Sequence, residues 1–289
     1  MNKRSKKTLP IFISIAAIAA VVIAASVVRR SSIVGGLSVN VNSSKPSNEQ
    51  DDSQTTLISP SEIEQAVLSE YPGLTSSRVK DIDTKDIESY LNSNPYIESS
   101  QVAISVGGRV IANVTSRRPI VRIYCDGISF FIDRQGRCFP AKRTGNSDVI
   151  VANGNFLTPL PKEPDSLDIS KLEYDSVFHS HPLVSIWKLA LYLDNTENGY
   201  SHLFDQIFID SNGELILQPK FGNHDIVIGD TLNLDDKFRR LKKFYAKGLP
   251  HAGYDSYRRV NLKYRDQVVC TKRSSHSEST EGKQKNTGN

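Results

Sequence analysis

The stretch that decides the fold is residues 102–114, which read Val-Ala-Ile-Ser-Val-Gly-Gly-Arg-Val-Ile-Ala-Asn-Val. Apolar residues alternate on both sides of Gly107-Gly108, which is the pattern of two half-buried antiparallel strands. Opposed residues of an antiparallel pair share a face of the sheet. A hairpin that sets Val106 opposite Val110 therefore aligns both apolar sets and leaves a three-residue loop, Gly107 to Arg109. The sequence predicts a β-hairpin with one buried face.

Signals for two helices precede this hairpin. Ser59 followed by Pro60 and Glu62 has the spacing of a capping box with proline at the first helical position. A second short helix is expected to begin at Asp83 or Thr84 and to end before Pro95, because proline disfavours helical geometry in the residue before it. Together with a weakly alternating segment at residues 37–41, the order is strand, helix, helix, strand, strand. Two helices that cover one face of a small sheet form a stable unit.

Upstream of this module, Ile11–Val28 is a run of 18 residues that is apolar except for Ser14 and Ser26. At about 1.5 Å per residue a helix of this length spans about 27 Å, close to the hydrocarbon thickness of a bilayer. A cleaved signal peptide is the alternative, but its apolar core is usually shorter than this run. Four cations precede the run and Arg29-Arg30 follow it, so the positive-inside rule predicts a cytoplasmic tip at residues 1–10 and export of everything after residue 30.

The second half of the chain has a β-rich pattern that begins near Pro119. Short apolar runs flank Asp126-Gly127, a strong hairpin signal. Helical periodicity predicts helices at about 182–194 and 233–247. Strict alternation from Arg259 to Cys270, broken only by Asp266, predicts one long final strand with a buried face and a charged face. Residues 141–178 carry no interpretable pattern.

Charge and cysteine content exclude some classes of protein. The net charge of +4 arises from the two ends of the chain, and the middle is net negative, so a basic groove for nucleic acid is not expected. Three cysteines is an odd number for an oxidising compartment. Cys125 and Cys138 fall at opposite ends of predicted strands, so we expect free thiols rather than a bridge.

Signals for catalysis or metal binding are weak. Ser77 and Ser185 each precede a lysine by three residues, as in serine–lysine enzymes, but the companion motifs of those enzymes are absent. His179 and His181 would supply half of a zinc site, and no third ligand lies near them in the sequence. The sequence therefore predicts no catalytic residue, no metal and no cofactor.

Several motifs, taken in order along the chain, resemble the cell-division family FtsQ, called DivIB in some lineages. Arg118-Pro119 follows the hairpin, and Ile132-Asp-Arg-Gln-Gly-Arg-Cys-Phe-Pro140 is similar to the family's aspartate–glycine–proline turn. Val260-Asn-Leu-Lys-Tyr264 resembles its final-strand motif, which Gln267–Arg273 extends in the manner of one branch. The resemblance covers nearly all of residues 1–273. One departure is Arg117-Arg118, where the family often has Glu-Arg.

The resemblance implies an α+β protein with a transmembrane helix at residues 11–28 and a POTRA-type module of order β-α-α-β-β at 33–116. It further implies a mixed β-rich domain with two helices at 117–271, which ends in an exposed C-terminal edge strand. A disordered tail is expected at 272–289. The implied location is the inner membrane at the division septum, with the N-terminus cytoplasmic and the bulk periplasmic.

The function implied by the resemblance is non-enzymatic assembly. Members bind the small membrane proteins FtsB and FtsL, whose strand adds to the final strand of the β domain, and link early and late division proteins. Other division proteins would bind the POTRA module or the membrane helix. Tyr264 matches the family's strand tyrosine, although a core role is an equal alternative for this residue. The expected partner-binding residues are Leu262, Lys263, Tyr264, Arg265, Val268 and Val269. The alternative function is an envelope POTRA scaffold of an outer-membrane assembly or secretion system.

Overall fold

The computed structural model of the protein describes residues 15–22, 32–43, 57–125, 127–141, 149–156, 167–175, 181–195, 199–200, 202–253 and 255–273. Contacts divide the chain into two compact units, residues 1–119 with 139–147, and residues 120–138 with 148–289. Within the described part of the chain, no helix combines the length and apolarity needed to cross a lipid bilayer. Residues 15–22 are helical, whereas the rest of the run predicted to span the membrane, 11–14 and 23–28, lies outside the described residues.

The first unit is a three-stranded sheet covered on one face by two helices. Its elements are β1 (Leu37–Ser43), α1 (Pro60–Glu70), α2 (Thr84–Asn92), β2 (Ile97–Ile104) and β3 (Val110–Ser116), with a single 3₁₀ turn at Val79–Asp81. The sheet order is β1-β3-β2, in which β1 runs parallel and β2 antiparallel to β3. The predicted order of strands and helices is confirmed.

The start of α1 forms the predicted capping box. The Ser59 hydroxyl accepts a hydrogen bond from the Glu62 backbone N–H at 3.2 Å, and the Glu62 carboxylate accepts one from the Ser59 N–H at 2.7 Å. Ile63 and Val67 then lie on the buried face of the helix, where they join Ile87 of α2 in the core. Reciprocal capping satisfies two backbone donors that a helix start otherwise leaves unpaired.

The register of the β2–β3 hairpin differs from the prediction by two residues. Ile104, not Val106, lies opposite Val110, and Val106 is 85% exposed in a longer turn. The side chain of Ser105 explains the difference, because its hydroxyl accepts a hydrogen bond from the Arg109 N–H at 3.0 Å and thereby closes a five-residue loop. A shift of two residues leaves the paired side chains on their predicted faces, whereas Val106, which was predicted to be buried, lies exposed in the turn.

The second sheet has nine strands and mixed directions. Its strands are β4 (Pro119–Cys125), β5 (Ile128–Asp133), β6 (Cys138–Pro140), β7 (Ile150–Gly154), β8 (Phe204–Ile209), β9 (Leu215–Pro219), β10 (Asp225–Gly229), β11 (Tyr257–Asn261) and β12 (Val269–Lys272). The order across the sheet is β12-β11-β10-β9-β8-β7-β4-β5-β6. Pairs β4–β7, β7–β8 and β10–β11 are parallel, and pairs β8–β9, β9–β10 and β11–β12 are antiparallel.

Helices of the second unit pack on this sheet. They are α3 (Ile169–Leu172), α4 (Pro182–Asp194), α5 (Leu234–Lys243) and α6 (Leu249–Ala252), and a π-helical turn at Phe244–Gly248 joins the last two. The predicted helix at 182–194 is confirmed. Trp187 of α4 and Phe238 of α5 belong to the same core cluster. Residues 141–178, which had no interpretable pattern, contain β7 between β4 and β8, and also α3.

The predicted single strand at residues 259–270 is wrong. The chain forms two antiparallel strands, β11 and β12, in which Val260 lies opposite Cys270 and Asn261 opposite Val269. Opposed residues share a face and the separation from 260 to 270 is even, so the alternation of apolar residues continues across the turn as if there were none. Asp266, which interrupted the pattern, has a left-handed backbone (φ 61°) in that turn.

Candidate functional site

The C-terminal hairpin, residues 257–272, ends the nine-stranded sheet. β11 lies between β10 and β12, whereas within the described residues β12 pairs with β11 alone. The outer side of β12 therefore presents backbone N–H and C=O groups without a strand beside them. Such an edge is a ready template for a strand of another chain. Of the described apolar side chains on this strand, that of Val269 is exposed.

A buried arginine holds the hairpin loop, which we define as residues 262–268. The guanidinium of Arg240 on α5 donates hydrogen bonds to the backbone carbonyls of Leu262 at 2.9 Å, Tyr264 at 2.8 Å and Gln267. Its Nε donates to the Asp236 carboxylate at 2.8 Å. Arg240 is only 8% exposed, so these bonds are shielded from water. The loop is thus fixed to a helix before any partner arrives.

Asp236 stands one helical turn before Arg240 on α5. Hydrogen bonds from Arg240 and from Arg239 lower the pKa of Asp236 below its usual range. The carboxylate therefore stays ionised and continues to orient the guanidinium. A rigid planar fork of this kind suits several acceptors at once, which an ammonium group does not.

Two side chains of the loop point outward. Tyr264 is 49% exposed, and the side chain of Arg265 is 95% exposed with its Nε 3.6 Å from the Asp266 carboxylate. An ion pair between two exposed groups is weak, so Arg265 can exchange Asp266 for a carboxylate on another protein at little cost. The loop offers an exposed aromatic ring next to an exposed cation.

Lys263 faces a different direction from Arg265. Its ammonium bonds to the Glu214 carboxylate, which raises the pKa of Lys263, and its methylene groups lie over Gly229. It lines a cleft of about 360 Å³ together with Glu214, Asp230 and Lys237. Lys237 is buried and donates to the Asp230 carboxylate at 2.6 Å. Both lysines of the cleft already have a carboxylate partner.

The structure thus brings all six predicted residues onto one hairpin, but with unequal exposure. Tyr264, Arg265 and Val269 are exposed, and Val268 is half-buried against the core. Leu262 is fully buried and its N–H donates to the Val227 carbonyl at 2.9 Å. The side chain of Leu262 is therefore inaccessible to another chain.

Sequence reasoning missed Arg240 and Asp236. Arg240 lies on the buried face of α5. The other buried residues of this helix are Lys237, Phe238 and Leu241. A charged residue at an inward position must have partners, because an unpaired buried charge is strongly unfavourable. The inward position of Arg240 therefore indicated a buried charge with partners. The sequence did not reveal those partners, because their carbonyls lie more than twenty residues further along the chain.

The candidate catalytic and metal residues have structural roles where the structure describes them. The Ser77 hydroxyl donates to the Gly73 carbonyl at 2.8 Å, and Lys188 pairs with Glu173 at 2.9 Å. His181 caps α4, since its Nδ1 accepts the Leu183 N–H at 3.2 Å, while His179 lies outside the described residues. No group of three or more metal-ligating side chains occurs in the described ranges. Cys138 and Cys270 are free thiols.

The turn at residues 132–140 is built around a buried carboxylate. The Asp133 side chain accepts the Arg137 N–H at 2.8 Å, and its backbone carbonyl accepts the indole N–H of Trp187 at 3.1 Å. The aspartate closes its own turn and the tryptophan fixes that turn to α4. This arrangement gives Asp133, within the sequence motif Ile132–Pro140, a structural function.

Residues 118–271, more than half of the chain, match the family described as FtsQ/DivIB, C-terminal related. The chain belongs to the FtsQ/DivIB family. Residues 48–115 match the POTRA-like domain, which corresponds to most of the first unit from before α1 to β3. No curated protein matches the chain in sequence. Membership confirms the resemblance drawn from the motifs and indicates a scaffold role in cell division.

Proposed function

We propose that this protein is a non-catalytic divisome scaffold whose C-terminal hairpin binds FtsB- and FtsL-like membrane proteins. The observation that carries the proposal is the outer edge of β12, which has no neighbouring strand among the described residues and lies beside a loop held by Arg240. A strand from the partner would add to β12, and backbone hydrogen bonds would supply much of the affinity. A preorganised loop reduces the entropy lost on binding.

Specificity would come from the exposed side chains of the hairpin. Tyr264 offers a half-exposed ring, and aromatic residues are enriched among the residues that dominate binding energy. Arg265 would pair with an acidic residue of the partner, a role for which Lys263 is less suited because Glu214 holds it. Val268 and Val269 would contribute apolar area at the edge. We leave Leu262 out of the contact set because it is buried.

We further propose that residues 11–28 form a single inner-membrane helix. The cytoplasmic tip would be residues 1–10, the POTRA-type domain 33–116, the β domain 117–271 and the tail 272–289. Four cations precede the apolar run and two follow it, and this excess supports a cytoplasmic N-terminus and a periplasmic bulk. The protein would gather at the septum, where its POTRA domain or membrane helix links other division proteins.

The direct test of the hairpin is capture of a purified FtsB–FtsL pair by the full-length protein in detergent. Loss of a central interface tyrosine typically costs about 2 kcal/mol or more, so Tyr264→Ala should weaken capture by at least about tenfold. Tyr174→Ala is the matched control, because Tyr174 is 86% exposed in the same unit and lies outside the hairpin. Equal capture by the two variants, both folded, would contradict the proposal.

The alternative is an envelope scaffold of an outer-membrane assembly or secretion system, which the POTRA-like match by itself would also fit. A fluorescent fusion distinguishes the two functions. A division scaffold should concentrate at midcell late in the cell cycle, whereas a uniform envelope signal throughout the cycle would favour the alternative. We also expect no turnover of peptidoglycan or acyl substrates by the purified protein.

A further inference from the structure

On the open face of the three-stranded sheet, away from α1 and α2, the described strand residues include no charged side chain. Nine side chains form three rows across the strands: Ser38–Ile111–Ala103, Asn40–Asn113–Gln101 and Asn42–Thr115–Ser99. Six of the nine are exposed. A solvent-facing sheet surface normally carries charged residues, and edge strands in particular use lysine to prevent pairing with other chains. Hydroxyl and amide groups without charges can instead be covered at low desolvation cost.

The two edges of this sheet differ. At the β2 edge, the Glu88 carboxylate of α2 accepts the outward N–H of Val102 at 2.7 Å, and Asn92 accepts the Ser100 hydroxyl at 2.9 Å. Side chains therefore block that edge against an added strand. Within the described residues, β1 pairs with β3 alone, and no side chain bonds to the backbone of its outer edge.

The apolar side chains of β1 are also less buried than those of the neighbouring strand β3 in the core of the first unit. Leu37, Val39 and Val41 pack against the core cluster but remain only half-buried, whereas Val110, Ala112 and Val114 of the neighbouring strand are fully buried. A further strand placed against β1 would cover these three residues. Burial of apolar area is the main favourable contribution to such an association.

The geometry of β1 specifies how a second copy fits. The Val110 N–H donates to the Gly36 carbonyl at 3.0 Å. In a parallel pair, the N–H and C=O of every second residue point to the same neighbour, so the even-numbered residues of β1 bond to β3. Leu37, Val39, Val41 and Ser43 then direct their backbone groups outward. If β1 of a second copy pairs antiparallel with this strand and Asn40 lies opposite Asn40, the outward N–H and C=O groups of the two strands face each other. Leu37 then lies opposite Ser43, and Val39 lies opposite Val41.

We propose that two copies of this protein associate through β1, antiparallel and centred on Asn40, to form a continuous six-stranded sheet. The Asn40 side chain already donates to Asn113 at 2.9 Å. Opposite Asn40 of the second copy it gains a further amide, which is both donor and acceptor, and the amide row becomes Gln101–Asn113–Asn40 repeated about the two-fold axis. Like charges would oppose such pairing, and β1 contains none. The contact is independent of the proposed docking at β12.

Cysteine cross-linking tests the register. In the full-length protein with Cys125→Ser, Cys138→Ala and Cys270→Ser, mild copper-phenanthroline oxidation should link Asn40→Cys into dimers. Directly opposed residues have Cβ atoms about 4.5–5.5 Å apart, close enough for a disulfide after a small adjustment. Asn42→Cys should cross-link several-fold less, because its own copy lies about 14 Å away, four residues along the paired strands. An equal mixture of Ser38→Cys and Asn42→Cys chains should give about half the cross-linked dimer of Asn40→Cys, because about half of the randomly formed dimers contain one chain of each kind and place the two cysteines opposite each other.

The controls make each outcome decisive. Gln101→Cys, on the same face but on β2, measures random collision. Similar cross-linking at positions 40, 42 and 101 would overturn the proposal, as would no dimer at position 40 in a chain with unchanged circular dichroism. Cross-linking of Asn40→Cys only to a different, smaller protein in membranes would assign the edge to that partner and overturn the two-copy contact.

A charge substitution provides a second measurement. Asn40→Lys places two ammonium groups opposite each other at the two-fold axis, so the molar mass in detergent should fall from two chains to one. Gln101→Lys adds the same charge to the same face without opposing its copy, and should retain the mass of two chains. A mass of one chain for the unsubstituted protein at micromolar concentration would contradict the proposal.

Discussion

Arg240 connects a helix to a loop that the chain reaches only some twenty residues later. All of its described acceptors, three carbonyls and one carboxylate, lie either on α5 or in the hairpin loop. A buried cation with so many acceptors fixes the loop in one conformation, because any other arrangement leaves polar groups unpaired. Sequence reasoning identified Tyr264 from the motif it carries, but a motif does not reveal which distant side chain holds its backbone.

Replacement of Arg240 should destabilise the second unit. Arg240→Ala leaves three carbonyls without their donor, and we expect the free energy of unfolding to fall by roughly 2–4 kcal/mol. Urea unfolding can be followed through Trp187, the single tryptophan of the chain and a core residue of this unit. Arg239→Ala, which removes an exposed ion pair with the same aspartate, should cost less than about 1 kcal/mol. Equal losses for the two variants would contradict this role of Arg240.

Two buried histidines make stability dependent on pH. Burial lowers the pKa of His181, and its Nδ1 lone pair accepts the Leu183 N–H, which requires the neutral ring. Burial likewise lowers the pKa of His224. The folded state thus binds protons less readily than the unfolded chain, so this stability is complete above about pH 6.5 and decreases as the pH falls toward the folded-state pKa.

The corresponding measurement is the melting temperature between pH 7.5 and pH 5. We expect the melting temperature to fall across this interval, and to fall less in His181→Asn, which keeps an acceptor for the helix cap but has no titratable ring. His251→Asn serves as the control, because His251 is exposed. A pH dependence identical in all three proteins would exclude His181 as a contributor.

At the scale of elements, local signals predicted most of the fold. The capping box of α1 and the apolar stripe of α4 were recognisable because a helix start and a helix face are determined by residues close in sequence. Strand pairing was less predictable. The alternation at 259–270 was real, but a turn between opposed residues preserves it, so one long strand and two short ones have the same pattern.

The long stretch that resisted interpretation contains a central strand. β7 lies between β4 and β8, both parallel to it, and its partners are remote in sequence. Gly154 at its end shows why such pairing is hard to foresee. A Cβ on Gly154 would lie 2.2 Å from the Ile209 carbonyl oxygen of β8. The close approach depends on a neighbour that no local pattern identifies.

Gly154 offers a prediction for this contact. Gly154→Ala forces the two strands apart, and we expect a loss of about 3 kcal/mol or more in the free energy of unfolding. Gly127→Ala is a matched control, because Gly127 also has a positive φ but no heavy atom within 4 Å of an added Cβ. Its cost should be about 1–2 kcal/mol from backbone strain alone. Urea midpoints that differ little between the two would show that β7 and β8 can separate freely.

At the scale of the whole molecule, the two units of the chain have different open edges. The first unit has an uncharged edge at β1, and the second has the edge at β12. Sequence patterns predicted both units and the membership in a cell-division family, because several motifs occur in order along the chain. They did not predict that β1 lacks the side-chain blocks found at β2, since those blocks are tertiary contacts.

Truncation should separate the proposed partner binding at β12 from the proposed self-association at β1. A chain that ends at Arg273 retains β12 and should capture the FtsB–FtsL pair as the full chain does. A chain that ends at Asp266 lacks β12 and should lose capture, while it still sediments with membranes and still cross-links through Asn40→Cys. Trp187 fluorescence verifies that the second unit is folded. Undiminished capture by the shorter chain would remove β12 from the binding surface.

The C-terminal position of β11 and β12 affects the order in which the nine-stranded sheet can be completed during synthesis. Parallel neighbours cannot be joined by a tight turn, and here the connection takes residues 230–256. The edge strand β12 also comes after all other described strands of that sheet in the chain, so it is synthesised last. A chain released before residues 269–272 have been made therefore lacks the edge that we propose binds partners. The proposed function then implies that copies released before β12 do not occupy FtsB- and FtsL-like partners.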